Sequence, residues 1–341
     1  MRHLYSVIIA ITIIFIILVS IVFLFIPDIE TDEGEELEVT KNPLLWRIEG
    51  ENPSYLYGSI HLADEGIVTL PDVVIESFDS CDVIYTEIKL DAETLAKSAQ
   101  ESTLHENVTL FDLLPEDVEN KFESYIESKG FSDYADLLNF SSYKVWFAAS
   151  SLPVLENFES LIRYLPLDYY IWNLAIINGK DARGLEPVEL QIDIFDTLPL
   201  EEQIKLLNDT LDILIEFFES DRSLTDMYIS SYLKGNLPEL QNLSFIGYEI
   251  NDPFYTKMMN RVVIDRNYNM SEDISNLIKN NPQTQYFFTI GSGHFYGDEG
   301  LIKLLENEGF TLTRVQFNTS ESCDSGEIMI NQRCYEPYVT K

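Results

Sequence analysis

The sequence predicts an α/β fold, a central sheet interrupted by a helical insertion and preceded by one N-terminal transmembrane helix. Three observations carry this. Strand-like runs alternate with helical stretches near both ends of the folded part, which is the pattern of an α/β sheet. The intervening segment, about 91 to 240, is mainly helical in its apolar spacing. A short pattern also occurs twice: Gly58-Ser59-Ile60-His61 followed by Asp64-Glu65-Gly66, and Gly291-Ser292-Gly293-His294 followed by Asp298-Glu299-Gly300. Each copy ends an apolar, β-prone run. With fifteen glycines and four histidines in 341 residues, chance gives roughly 0.2 Gly-x-x-His matches. Two in matching context point to a site that needs a pair of imidazoles.

From the N-terminus, residues 1 to 5 form a short stub and Ser6 to Ile26 an uncharged run of 21 residues. At about 1.5 Å per residue this reaches about 31 Å, the thickness of a bilayer's hydrocarbon core. No small-residue cleavage site follows it, so a retained anchor is expected rather than a cleaved signal peptide. Arg2 precedes the span, while Asp28, Glu30, Asp32, Glu33, Glu35 and Glu36 follow it. Basic flanks stay cytoplasmic, which predicts a single-pass cell-membrane protein with its large domain outside the cytoplasm. Residues 27 to 41 read as an acidic linker, and order should begin near Asn42.

The folded domain is expected over 42 to 318. Leu44 to Ile48 and Tyr55 to Ile60 read as paired strands around the turn Glu51-Asn52-Pro53-Ser54. Pro71 to Ser80 reads as a short helix and Val83 to Ile88 as a buried strand. The insertion contains amphipathic stretches at 93–102, 115–129, 133–139, 143–152, 200–219 and 222–234, with one extended exception in Lys180 to Glu189 that can end at Glu186. A second unit follows: helix 254–280, strand Gln285 to Ile290, the second histidine loop, helix 298–308 and strand Thr311 to Gln316. In the tail, 319 to 341, Cys323 and Cys334 are spaced like a small disulfide loop, which would contribute on the order of 3 kcal/mol in an oxidising compartment.

Charge narrows the function. Acidic residues outnumber basic ones 58 to 22, a net charge of −36. Such a surface repels phosphate backbones and excludes nucleic-acid binding; solubility is its plain explanation. Six Asn-x-Ser/Thr sequons, at Asn107, Asn139, Asn208, Asn242, Asn269 and Asn318, fit a secreted domain, although an Asn- and Ser-rich chain makes some by chance. Cys81 reads as a buried small apolar residue, with no Cys at ligand spacing from another Cys or His.

In open α/β sheets ligands gather at the carboxyl ends of the strands. Both histidine loops have that address, so His61 and His294 should share one rim. A lone histidine is more often structural; the duplication favours function. Glu87 stands in an otherwise apolar strand, where an unpaired carboxylate is costly, so it is either at an exposed end or partnered. Glu186 and Arg266 alone would read as surface groups, Arg266 as a solvated helix cation beside Asp265. His105 lacks the second histidine of an H-E-x-x-H zinc motif and reads as surface. Ser292 is not in a nucleophile elbow, and no phosphate loop or dinucleotide fingerprint is present.

The segments YLYGSIHLAD, VIYTEI, GLEPVELQ, IDRNYNM and FFTIGSGHFYGDEGLIKLLENEGFTL resemble, in that order, the TraB/GumN family, which includes the TIKI proteins. The resemblance covers roughly residues 44 to 316. It implies two α/β repeat units forming a central sheet with a helical insertion, similar to erythromycin-esterase-like and ChaN-like folds. Functional positions carried over fall on His61, Glu87, Arg266 and His294, with Glu186 as a further acid; here Pro187 follows it where the family commonly has Thr. The resemblance implies a metal-dependent peptidase acting on a peptide or protein substrate. His61, Glu87 and His294 would hold a divalent ion such as zinc, manganese or cobalt, with Glu186 as base or orienter and Arg266 at the developing oxyanion. Two alternatives stay open: a metal-free mechanism in which one histidine activates water, and a binding module that captures a peptide signal or a haem-like cofactor without turnover. The sequence leaves the oligomeric state open.

Overall fold

Six strands form one mixed sheet: β1 (Leu45–Ile48), β2 (Ser54–Ser59), β3 (Val83–Thr86), β4 (Asp181–Gly184), β5 (Tyr286–Gly291) and β6 (Leu312–Arg314). Their order across the sheet is β4-β3-β5-β2-β1-β6. The computed structural model describes residues 39 to 315, apart from 41, 106, 135–137, 245 and 247–251, together with 328–330 and 333–335. The anchor expected over 6–26, most of the acidic linker, and Cys323 of the expected disulfide lie outside the described residues. Among the described residues, no helix is long and apolar enough to cross a membrane.

Four neighbouring strands are parallel: β4 with β3, β3 with β5, and β5 with β2. Their carboxyl ends therefore share one edge. The central strand β5 (YFFTIG) is buried along its whole length, as a strand covered on both faces must be. In the β2–β5 register Gly58 stands beside Ile290 and Ser59 beside Gly291. The two copies of the repeated motif thus leave adjacent strands, offset by one residue. β1 returns antiparallel to β2, and β6 pairs antiparallel with β1.

Among the described residues, the buried apolar side chains form two clusters. One lies against the sheet and includes Tyr57, Phe78, Phe287, Phe288, Met270 and Ile274. The other fills the helical insertion around Trp146, Phe147, Leu207 and Leu211. Its axis is the helix Val145–Leu155, buried at every position, which explains why that segment lacks a clear amphipathic stripe. Further helices at Leu110–Leu113, Phe158–Leu161, Leu167–Ile177 and Leu237–Ser244 complete the insertion.

Several boundaries differ from expectation. Thr40 is already buried, two residues before order was expected. β4 stops at Gly184, not Glu186, because the backbone closes onto Ile88 and Lys89: a Cβ on Gly184 would lie 2.4 Å from Lys89 N. The expected helix over 133–139 opens within a 3₁₀ turn, Phe131–Tyr134, and is α-helical at Leu138, with 135–137 outside the described residues. The long helix 254–280 is in three parts: Pro253–Met259, a π turn at Asn260–Ile264, and Asp265–Asn280. The second histidine loop begins as a 3₁₀ turn, Ser292–His294, and its helix only at Leu301. A short hairpin, Ile328–Ile330 with Arg333–Tyr335, lies in the tail and aligns Met329 with Cys334.

Candidate active site

Each expected site residue reaches the common strand edge by its own local route. After β2, Asp64 accepts hydrogen bonds from the backbone N–H groups of Gly66 and Ile67, capping a short helix. Asn157 fixes the same loop by accepting from Ala63 N at 2.9 Å. Tyr232 donates to the Gly58 carbonyl at 2.7 Å and ties down the start of the first motif. Glu87 follows β3 directly. Glu186 occupies the turn after β4, where Pro187 sets the entrance to the helix Val188–Asp196; its backbone N–H donates to Glu87 O at 2.7 Å. Arg266 lies in the first turn after the π turn, a local widening common at functional sites.

These residues converge. Arg266 is 1% exposed and its guanidinium is fully engaged. Nε donates to Glu186, Nη2 to Glu87 Oε2 at 2.5 Å and Glu186 Oε2 at 2.7 Å, and Nη1 to Val262 O at 3.0 Å. Nη1 also stands 3.2 Å from His294 Nε2. The partners expected from sequence alone, solvent and Asp265, are replaced by two buried carboxylates. A guanidinium has five N–H donors, and all five are committed. Arg266 therefore organises the carboxylates and has no N–H left for an oxyanion in this state.

Glu87 is held from both sides. Gly291 N donates to its Oε1 at 2.8 Å and Gln191 Nε2 to its Oε2 at 3.1 Å. A side chain on Gly291 would place its Cβ 3.0 Å from Glu87 Oε1, 3.6 Å from His61 Nε2 and 3.8 Å from His294 Cδ2. Glycine at this position leaves a cradle rimmed by all three groups.

The two imidazoles sit in opposite environments. His61 Nδ1 stands 2.6 Å from Asp168 Oδ2, and Ser59 Oγ donates to the other Asp168 oxygen. Burial would lower the basicity of His61, but the Asp168 and Glu87 charges outweigh it and hold the ring's pKa above its usual value. His294 Nδ1 stands 2.6 Å from Asn267 Oδ1, a neutral partner. Burial and the adjacent Arg266 push its pKa down to about 3. The carboxylates divide likewise. Burial opposes ionisation of Glu87, yet Arg266 and the imidazoles hold it well below the usual range. Burial raises Glu186, with the Glu87 charge adding to the effect against Arg266.

Asp168, Asn267 and Gln191 were not singled out from sequence. Asp168 is the one acid in LDYYIWNLAII, in the first turn of a helix (Leu167–Ile177) where a carboxylate faces the positive end of the dipole; that was the available signal. Asn267 and Gln191 lie inside segments that carry the resemblance but have no local mark. Gln191 Oε1 is buried without a hydrogen-bond partner. His105 is exposed, as expected, and Cys81 is buried.

In donor type the set fits a divalent cation. An acceptor beside each Nδ1 directs that ring's Nε2 lone pair away from it, the arrangement of metal-binding imidazoles. His294 Nε2 and Glu87 Oε1 are 3.9 Å apart, a span that two ligand bonds of about 2.1 Å can bridge. Two carboxylates, Glu87 and Glu186, share the Arg266 guanidinium, and a third, Asp168, stands behind His61. Among the described residues, however, no three His, Cys, Asp or Glu side chains already stand around one point. The Arg266 contact at His294 Nε2 would have to give way.

Residues 44–314 match the TraB/PrgY/gumN family. Similar proteins include Metalloprotease TIKI1 of Danio rerio, 24% identical over 79% of this chain and 62% of its own. Metalloprotease TIKI homolog of Amphimedon queenslandica is 25% identical over 81% and 62%, and Metalloprotease TIKI1 of Homo sapiens 23% identical over 79% and 61%. The chain thus spans about three-fifths of the length of these curated relatives. No solved structure matches it.

Proposed function

The chain belongs to the TraB/PrgY/gumN family, and on that premise we propose that it is a membrane-anchored, extracytoplasmic hydrolase of peptidase type, acting on a peptide or protein substrate. The observation that carries this reading is the pairing of two imidazoles with opposed proton affinities across one buried carboxylate–guanidinium cluster. Groups driven apart in this way are suited to acid–base work.

His61, Glu87 and His294 would hold a divalent ion, zinc, manganese or cobalt, which when bound supplies Lewis-acid polarisation of a carbonyl and a more acidic water. Asp168 and Asn267 orient the two rings from behind. Glu186, its pKa raised by burial, is positioned to accept and return a proton. Arg266 keeps the two carboxylates apart in role by bonding both. The names of the similar proteins support the metal-dependent form.

One observation favours a second form of the same reaction. Arg266 already fills the His294 Nε2 position, and His61 has the carboxylate partner of a general base. In that form His61, backed by Asp168, takes the proton from the attacking water without an ion.

The test is metal analysis of the purified full-length protein, followed by peptide-library cleavage by wild type and His294→Ala. Cleavage that is lost in the variant supports a hydrolase. Bound metal and sensitivity to chelators select the first form, and chelator resistance the second. No turnover on any peptide would overturn the proposal.

A further inference from the structure

Both ends of the described domain leave the sheet on the same edge as the site. Leu44 O accepts from Gly58 N at 2.7 Å, so the entering chain is level with the first motif's glycine. Two residues earlier, Asn42 O accepts from Arg314 Nη2 at 3.3 Å. At the other end Val315 N donates to Leu45 O at 2.8 Å. The antiparallel return of β1 produces this result, because a strand leading down to the β1–β2 turn must begin at the rim where β2, β3, β4 and β5 end. The turn around Glu51 lies at the opposite edge, about 20 Å away for a six-residue strand. Entry and site are laterally close too, since β1 is two strands from β5, or about 10 Å.

The uncharged run 6–26 is joined to this rim by residues 27–38, twelve residues that reach at most about 40 Å when fully extended. Seven of them are acidic and none is basic, so like charges along the segment repel one another. A tether fixed at the rim keeps the site near the bilayer and leaves the Glu51 edge as the far side.

We infer that the site works on extended peptide segments emerging from the same membrane surface, within about 40 Å of it, rather than on freely diffusing proteins. This rests on the anchored-hydrolase reading above. It deepens that reading by giving the substrate a place: the juxtamembrane stretch of another membrane-attached protein.

Full-length protein in phosphatidylcholine vesicles tests this. Single labels are placed by Asp298→Cys on the rim or Glu51→Cys at the far edge, both exposed, with Cys323→Ser and Cys334→Ser in the background. Energy transfer to an acceptor lipid should be at least twofold greater from the rim label. Equal transfer, or greater transfer from the Glu51 label, overturns the inference. Retention of the protein after an alkaline wash checks the anchor separately, and its loss removes the tether and the inference with it. A mixed-sequence peptide library is then attached to lipid through spacers of about 20 Å or about 150 Å, or left free. Cleavage at the short spacer should be at least tenfold faster than at the long one, and deleting residues 29–36 should sharpen that ratio. Equal rates at both spacers overturn the inference while leaving the hydrolase intact; no cleavage in any arm overturns the hydrolase reading itself.

Discussion

Arg266 Nη1 stands 3.2 Å from His294 Nε2, so the guanidinium contacts a ring nitrogen while neutralising two carboxylates. The contact requires an unprotonated His294 Nε2, since two N–H groups cannot share a hydrogen bond. It also gives Arg266 a structural duty that a lysine's single ammonium cannot perform. Arg266→Ala should lower unfolding free energy by about 3–5 kcal/mol, the usual cost of stranding buried charge. Arg266→Lys should recover part of that stability and little activity. Urea midpoints and peptide cleavage measured together check both outcomes.

Asp168 gives a sharper test of the site, since it meets His61 through the nitrogen facing away from the cradle. Asp168→Asn removes the charge at nearly constant volume. Activity should fall on the order of 10²-fold or more through kcat, the range of a lost acid–base contribution, with KM little changed. Histidine NMR should report a lowered His61 pKa in the folded variant, a change that loss of packing alone would not produce.

Stability should depend on pH through His294. Its folded pKa of about 3 lies below the ordinary 6.5, so between those values the unfolded chain binds a proton that the native chain refuses. Stability therefore rises with pH across that window and is lost as pH falls through it. Glu87, whose folded pKa is also depressed, acts with the same sign at the acid end. In chelator-treated protein, His294→Gln should flatten the dependence between about pH 6.5 and pH 3. An unchanged slope would contradict the assigned environment.

Metal content separates the two forms of the reaction. With the ion held by His61, Glu87 and His294, elemental analysis should find about one divalent ion per chain. His61→Ala and His294→Ala should each lose it, whereas Glu186→Gln should retain it and lose rate.

Cys81 supplies a control on integrity. Burial pushes its thiol pKa up to about 12, so alkylation at pH 8 should be slow in the native protein and rapid in denaturant. Fast native labelling would mean that the sheet edge near Lys180 opens.

What could be read in the sequence followed the strands. Runs of apolar residues ending in Gly-x-x-His marked β2 and β5, and their parallel pairing brought both motifs to one edge. Glu87 was legible because a carboxylate in VIYTEI needs a reason. Glu186 and Arg266 entered through the resemblance, since neither has a local mark that distinguishes it from a surface group. Asp168, Asn267 and Gln191 stayed hidden because each lies within a helix, and only tertiary packing turns one helical position toward a site. The π turn has no signature either: Asn260–Ile264 reads as ordinary helix, and the extra residue shows only in its backbone hydrogen bonding.

That wide turn sets the phase of everything after it. An α-helix advances about 100° per residue, so rewinding Asn260–Ile264 as regular α-helix with no residue removed would turn Asp265–Asn280 by nearly a third of a revolution relative to Pro253–Met259. The residue then facing the two carboxylates would be Asp265, and the guanidinium would swing away from them. With every named site residue still encoded, loss of the wide turn would exchange a cation for an acid at the centre of the cluster. The function of this chain is therefore written partly in a spacing, and a comparison that counts residue identities alone would overlook its loss.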